Sequence, residues 1–262
     1  MLELAILNKD HTLLNTAKGE KEVSLVHANT YEEGDIILVK SSDEEAFLIL
    51  QLDDAIGESF VLLKGGALSY TIPFGEKKIC YSPKSFAYDK HLLKVRYATH
   101  EEISAYKNLA LNKYDQHGEP NCFPHASANV ETRGESVFAA KNAINGNCEN
   151  HSHGAWPYES WGINQNPDAV MKIEFGRKVA VDKICLYTRA DFPHDAWWEQ
   201  ATVVFSDGSK VVFDLEKTDK AQEINFEKRE IEWLELGKLI KADDPSPFPA
   251  LSQIEVYGVE AK

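Results

Sequence analysis

From Leu2 to Tyr97 the chain repeats one pattern. Leu2–Leu7, Glu22–His27, Asp35–Val39, Phe47–Leu52, Phe60–Leu63 and Leu92–Tyr97 are runs of four to six residues, rich in aliphatic and β-branched side chains. Turn formers separate them: Glu33-Gly34-Asp35, Asp53-Asp54 with Gly57, Gly65-Gly66, and Pro73 with Gly75. Runs this short do not carry the 3.6-residue period of a helix, whereas a strand needs only alternation and a turn at each end. Regular short strands with turns between them predict an antiparallel sandwich or half-barrel.

Near residue 98 the pattern breaks. Thr99-His-Glu-Glu102 is a capping box, in which the Thr hydroxyl and the Glu carboxylate satisfy each other's backbone amides. It predicts a short helix through about Lys107. This gives a β-rich domain over 1–97, a helical linker over 98–107 and a second domain over 108–262. In the second, Val170–Phe175, Val181–Thr188, Ala201–Phe205, Val211–Leu215, Glu223–Phe226, Ile231–Leu236 and Gln253–Tyr257 read as strands. Ser206-Asp-Gly-Ser209 reads as a hairpin turn, and Val137–Ile144 as one short helix. There is no strand–helix alternation and no Gly-rich phosphate loop, so the reading is all-β, two antiparallel β-sandwich domains, and not a nucleotide fold.

Charge narrows the partners. Residues 1–97 carry 11 basic and 15 acidic side chains and the remainder 17 and 27, so both parts are acidic and the net charge is −14. Such a chain repels phosphodiester backbones and anionic lipid, which argues against nucleic-acid and membrane partners. No apolar run reaches membrane-spanning length. Glu3 interrupts the apolar N-terminal run and no basic stretch precedes it, so no signal peptide is read and the cytoplasm is the expected compartment. Cys80, Cys122, Cys148 and Cys185 lack zinc or redox spacing and are expected to be free thiols. The oligomeric state is not legible.

All five tryptophans fall between residues 156 and 233. Trp156, Tyr158 and Trp161 lie in the run that begins His151-Ser-His153. Trp197 and Trp198 close the run that begins Arg189-Ala-Asp191 and holds Phe192, Pro193, His194 and Asp195. A sugar ring offers an apolar C–H face to an aromatic plane and a rim of hydroxyls to charged or amide groups. The candidate ligand-binding residues are therefore Glu131, Arg133, His151, His153, Trp156, Tyr158, Trp161, Arg189, Asp191, His194, Asp195, Trp197 and Trp198. The competing reading for the tryptophans is core packing. Adjacent strand residues face opposite ways, so at most one of Trp197 and Trp198 can face the core. Trp233 alternates with acidic residues and is expected in the core. His151 and His153 would suit a metal from a strand, but in a loop before Gly154 they read as surface groups. Glu131-Thr-Arg-Gly-Glu135 reads either as an ion-paired turn or as a flap over the pocket.

Four segments in order resemble the discoidin, or coagulation factor 5/8 type C, domain, whose fold is shared by family 32 carbohydrate-binding modules. They are Asn108-Leu-Ala-Leu-Asn112, Ala140-Lys-Asn-Ala-Ile-Asn-Gly-Asn147, Lys172–Arg177 followed by Val181–Leu186, and Ile254-Glu-Val-Tyr-Gly258. The resemblance covers roughly residues 108–259 and implies a galactose-binding-like jelly roll with ligand held by loops at one end. Here those loops, 147–166 and 189–199, carry the tryptophans. Members of that family often hold a structural calcium, and the resemblance places its ligand positions at Asn145, Asn147 and Gln253. Amides there in place of carboxylates remove most of the attraction for a hard dication. The positions are either a metal-free hydrogen-bond staple, the favoured reading, or a weak calcium site helped by Glu149.

The leading functional reading is a carbohydrate-binding protein without a catalytic role. The alternative is an enzyme on a sugar or glycoconjugate, for which Glu131, Glu135, Glu159, Asp191 and Asp195 would supply an acid and a base. A third is a protein-interaction module.

Overall fold

The computed structural model describes residues 1–119, 121–190 and 196–261. In the N-terminal part the strand rhythm becomes two antiparallel sheets. The six expected strands form and two more join them, giving β1 (Leu2–Leu7), β2 (Leu13–Gly19), β3 (Glu22–His27), β4 (Ile36–Ser41), β5 (Glu45–Gln51), β6 (Ser59–Lys64), β7 (Ala67–Thr71) and β8 (His91–Tyr97), of which β2 and β7 lie outside the expected set. One sheet has the order β2-β1-β4-β7, the other β6-β5-β8-β3. Alternation decides what faces inward: in β3, Val23, Leu25 and His27 are buried and their neighbours exposed. Leu4, Ile6, Val39 and Tyr70 from the first sheet meet Leu48, Leu50, Val61 and Leu93 from the second in one core.

The capping box forms as expected, with Thr99 N–H donating to Glu102 at 2.8 Å and Glu102 N–H to the Thr99 hydroxyl at 3.2 Å. Arg96 clasps the same carboxylate at 2.8 and 2.7 Å. The helix α1 spans His100–Ser104, shorter than expected. Ala105 turns extended, and β9 (Lys107–Asn108) already pairs with the last strand at Gly258 and Tyr257.

The C-terminal part is built on β10 (Cys122–Phe123), β11 (His125–Ala128), β12 (Trp161–Gly162), β13 (Met171–Thr188), β14 (Trp198–Phe205), β15 (Lys210–Asp214), β16 (Gln222–Lys241) and β17 (Ala250–Glu260). Its sheet order is β12-β17-β13-β16-β14-β15, all antiparallel, with β11 on β13. Two pairs of expected strands are single long ones, β13 and β16. The register of β13 on β16 breaks between Glu174 and Val179. Gly176 sits in this bulge at φ 69°, and a Cβ there would lie 2.4 Å from the Phe123 ring. The bulge lets one strand serve two layers, β11 over its first part and β17 over its second. The expected Asp-Gly hairpin joins β14 to β15, with Gly208 at φ 83°. The expected helix over 137–144 is instead two 3₁₀ turns, Ser136–Phe138 and Ala140–Ile144, parted by extended Ala139.

The two parts share material. Tyr114 and Cys122 lie in the N-terminal core, and β10 adds to the N-terminal sheet by pairing with β6. On the outer face of that sheet Phe47 and Phe60 stack at 5.5 Å, with Lys107 over Phe60 at 4.4 Å and Arg177 over Phe47 at 5.4 Å. At the loop end, Glu76 accepts from Ser136 N–H at 2.7 Å and the Ile79 carbonyl from Trp156 N–H at 2.8 Å. The N-terminal part therefore rests directly on the loops that precede β12.

Candidate functional site

At that loop end lies a pocket of about 270 Å³. Phe138, from the 3₁₀ turn before β12, and Phe248, from the Pro-rich loop between β16 and β17, bring aromatic surface to it. Phe248 is 46% exposed and keeps its ring open to the pocket. Arg133, His153 and Arg189 supply the charged or ionisable groups, and Thr132, Asn164 and Gln165 the neutral polar ones.

The polar groups are set by local structure. Arg189 is only 1% exposed, anchored through its backbone N–H to Ala250 O at 3.2 Å and through Nη1 to the Tyr158 carbonyl. Arg133 is exposed, gripped by Glu135 at 2.5 and 2.8 Å, with its guanidinium 5.6 Å from the Phe138 ring centre. His153 stacks on Phe138 at 6.4 Å. Thr132 Oγ1 accepts from Asn164 N–H at 2.9 Å and ties the two lips together. Seven non-glycine residues among those described hold positive φ, and three of them, Arg133 (53°), Asn164 (49°) and Gln165 (59°), line this pocket. Left-handed backbone costs of order 1 kcal/mol per residue and collects where geometry serves a ligand.

The tryptophans divide. Trp161 (0% exposed) and Trp198 (1%) pack against each other in the C-terminal core at 6.5 Å, and Trp161 Nε1 donates to Val130 O at 3.0 Å. Neither can stack on a ligand. Their expected role is corrected: each sits on an inward-facing strand position, and an indole that large fills the core between layers. Trp197 is half-buried, with its carbonyl accepting from Ala242 N–H at 3.0 Å, and does not line the pocket. Trp156 is 38% exposed and faces a different cleft, between the two parts of the chain. Trp233, expected in the core, is half-buried with Lys172 above it at 5.3 Å.

Of the other expected residues, Arg133, His153 and Arg189 converge on the pocket, with Tyr158 behind Arg189. His151 does not: it is exposed, 3.9 Å from Glu149. Glu131 turns away as well, accepting from Ala140 N–H at 2.7 Å and meeting His117 at 3.0 Å. Burial opposes its ionisation, but these partners hold its carboxyl below the usual range. Asp191, His194 and Asp195 lie outside the described residues. Glu131 and Glu135 line a separate cleft, and Glu159 is buried, so the described acids do not surround the pocket as a hydrolytic pair must. Phe138, Phe248, Asn164 and Gln165 had no sequence signal that marked them for a site.

The calcium positions are a staple around Glu159. Asn145 Nδ2 and Asn147 Nδ2 both donate to Glu159 Oε1, at 2.8 and 2.5 Å, and Gln253 Oε1 accepts from Gly146 N–H at 3.1 Å. Burial pushes the Glu159 carboxyl up. A set that turns amide N–H groups onto its one carboxylate does not fit a dication, which needs converging oxygens. Among the described residues no group of three or more His, Cys, Asp or Glu could hold a metal ion. Millimolar calcium or EDTA is therefore expected to move the melting temperature by less than about 1 °C, because a ligand that does not bind the native state cannot stabilise it. A calcium-dependent rise in a thermal scan would reverse this reading.

Among solved structures the chain is similar to chitosan-binding module 1 of a chitosanase/glucanase from Paenibacillus sp. IK-5, at 19% identity over 58% of this chain and 98% of that one, TM-score 0.41. It is similar to the family 32 carbohydrate-binding module of C. perfringens NanJ in complex with galactose, at 14% identity, 58% and 99% coverage, TM-score 0.42. It is also similar to a Streptococcus pneumoniae fucose binding module, SpX-3, at 14% identity, 58% and 98% coverage, TM-score 0.42. No curated protein matches. The family described as Domain of unknown function (DUF7402) matches residues 121–257, more than half of the 262, and the chain belongs to that family.

Proposed function

We propose that the chain binds a carbohydrate in the pocket between Phe138 and Phe248. One observation carries the reading: an exposed and a half-buried phenyl ring, Arg and His donors and amides on strained backbone share a single concave site. A saccharide unit would lay a C–H face on a phenyl ring while Arg133, His153, Asn164 and Gln165 take its hydroxyls. Stacking by phenylalanine replaces the tryptophan stacking that the sequence suggested.

Titration calorimetry of the full chain against mono- and oligosaccharides, uronic acids and amino sugars included, tests this. Phe248→Ala and His153→Ala are each expected to weaken binding of the sugar that responds by about tenfold, which is about 1.4 kcal/mol. Both side chains are exposed, so unfolding midpoints should stay near wild type. Sugar binding undiminished in both variants would exclude this pocket.

A further inference from the structure

A second cleft, about 190 Å³, lies where the N-terminal part meets the C-terminal loops, and the sugar reading leaves it unused. Three features give it a chemistry. Lys141 from the Ala140–Ile144 turn and Lys113 both line it. The direct partners of Lys141 Nζ are neutral: the Tyr81 hydroxyl at 3.2 Å, Asn142 Oδ1 at 3.4 Å and Cys80 Sγ at 3.5 Å, with the Tyr81 ring centre at 4.4 Å. Lys113 Nζ reaches only the Ile56 carbonyl, at 3.4 Å. Neither ammonium is ion-paired with a carboxylate among the described residues. Nearby acids are committed elsewhere. Asp115, which also lines the cleft, gives one oxygen to His125 at 2.6 Å and the other to Ala126 N–H at 2.8 Å. Glu159 is held by the Asn145 and Asn147 amides.

The second feature is Ser85. It lines the same cleft, is 0% exposed, and its Oγ has no hydrogen-bond partner among the described residues. A buried hydroxyl left unsatisfied costs about 1–3 kcal/mol, which a ligand atom reaching Ser85 Oγ through the cleft wall would relieve. The third is Trp156, which adds an aromatic wall and keeps much of its surface open. Two cations, an unanswered hydroxyl and an indole face are the complement of a small oxyanion that also carries hydroxyls. The volume admits a compact polyol acid.

We propose that this cleft binds a small hydroxylated molecule through a carboxylate or phosphate group held between Lys113 and Lys141, with a ligand atom satisfying Ser85 Oγ. Asp115 and Glu159 act on Lys141 only from a distance, so an oxyanion bound here would be the first directly contacting counter-ion of either ammonium.

The test is a thermal scan of the full chain at fixed ionic strength, with glucuronate and glycerol 3-phosphate as probes and galactose as the neutral control. At least one anion should raise the melting temperature saturably. Lys141→Met should abolish that rise. Ser85→Ala should weaken apparent affinity about fivefold, the equivalent of about 1 kcal/mol for one hydrogen bond, while leaving the ligand-free protein at least as stable as wild type, since the unsatisfied hydroxyl is gone. Phe248→Ala should leave the anion response untouched, which separates this cleft from the sugar pocket. A response to only one probe tells carboxylate from phosphate. No saturable rise with either anion, or a rise undiminished in the variants, overturns the proposal; Lys113→Ala with Ser85→Ala decides the matter should Lys141→Met not fold.

Discussion

Trp161→Ala is expected to destabilise the protein by about 3–5 kcal/mol, the range for deleting a large aromatic from a packed core. The indole is 0% exposed, touches Trp198, and loses with it a hydrogen bond to Val130 O worth about 1 kcal/mol. β12 is only two residues long and pairs with Leu251 and Ala250, so the indole supplies most of the apolar packing of that segment. Trp156→Ala is the contrasting case. Its side chain is 38% exposed and its link to Ile79 runs through the backbone, so the cost should stay within about 1 kcal/mol. Urea unfolding of the two variants would show one midpoint far below wild type and one near it. Similar midpoints would mean that the indole of Trp161 is not the core element described above.

Asp115→Ala should rank with it, at about 3–5 kcal/mol, since removing one member of a buried pair strands the other. Asp115 is 3% exposed and holds His125 Nδ1 at 2.6 Å together with Ala126 N–H. Its effect also depends on pH. The bond to Asp115 raises His125 above its ordinary 6.5, and burial raises Asp115 above its ordinary 3.8. This pair therefore binds more protons in the folded protein than in the unfolded chain around neutrality, and its contribution to stability falls as pH rises. The His125 contribution is complete below pH 6.5 and disappears as pH climbs through its raised folded value. His117, raised by Glu131, adds the same sign, but its side chain is 58% exposed and the contribution small. Melting temperature followed from pH 6 to pH 9 should decline in wild type and decline less in Asp115→Ala. An equal slope in both would assign the titration elsewhere.

The β-rhythm was legible because alternation and turn chemistry are local. It missed β2, whose sequence Leu-Leu-Asn-Thr-Ala-Lys-Gly keeps no buried face, and β7, which is five residues long and follows directly on Gly65-Gly66. It split β13 in two because Gly176 reads as a terminator, whereas the partner ring of Phe123 makes glycine necessary inside the strand. The site was legible only in its polar half. His153 and Arg189 stand out beside aromatics, and Arg133 as a base between two acids around a glycine. Phe138 and Phe248 do not, because nothing local separates a phenylalanine bound for the core from one left at a pocket wall. The tryptophans misled for the same reason: their clustering in sequence is real, but strand parity sends Trp161 and Trp198 inward.

The short strand β10 bears on how this molecule can be divided. It closes one edge of the N-terminal sheet at Leu62 and Leu63, while Tyr114 reaches back to donate to the Gly57 and Asp53 carbonyls at 2.6 and 3.2 Å. A fragment cut after the linker would leave β6 with a raw hydrogen-bonding edge and a hole the size of a tyrosine, the conditions for edge-to-edge self-association. Severing the chain after Phe123 would keep that sheet intact but take from β13 the ring that sits against Gly176. A truncation library is therefore expected to yield less soluble N-terminal fragment when the cut falls at the linker than when it falls after Phe123.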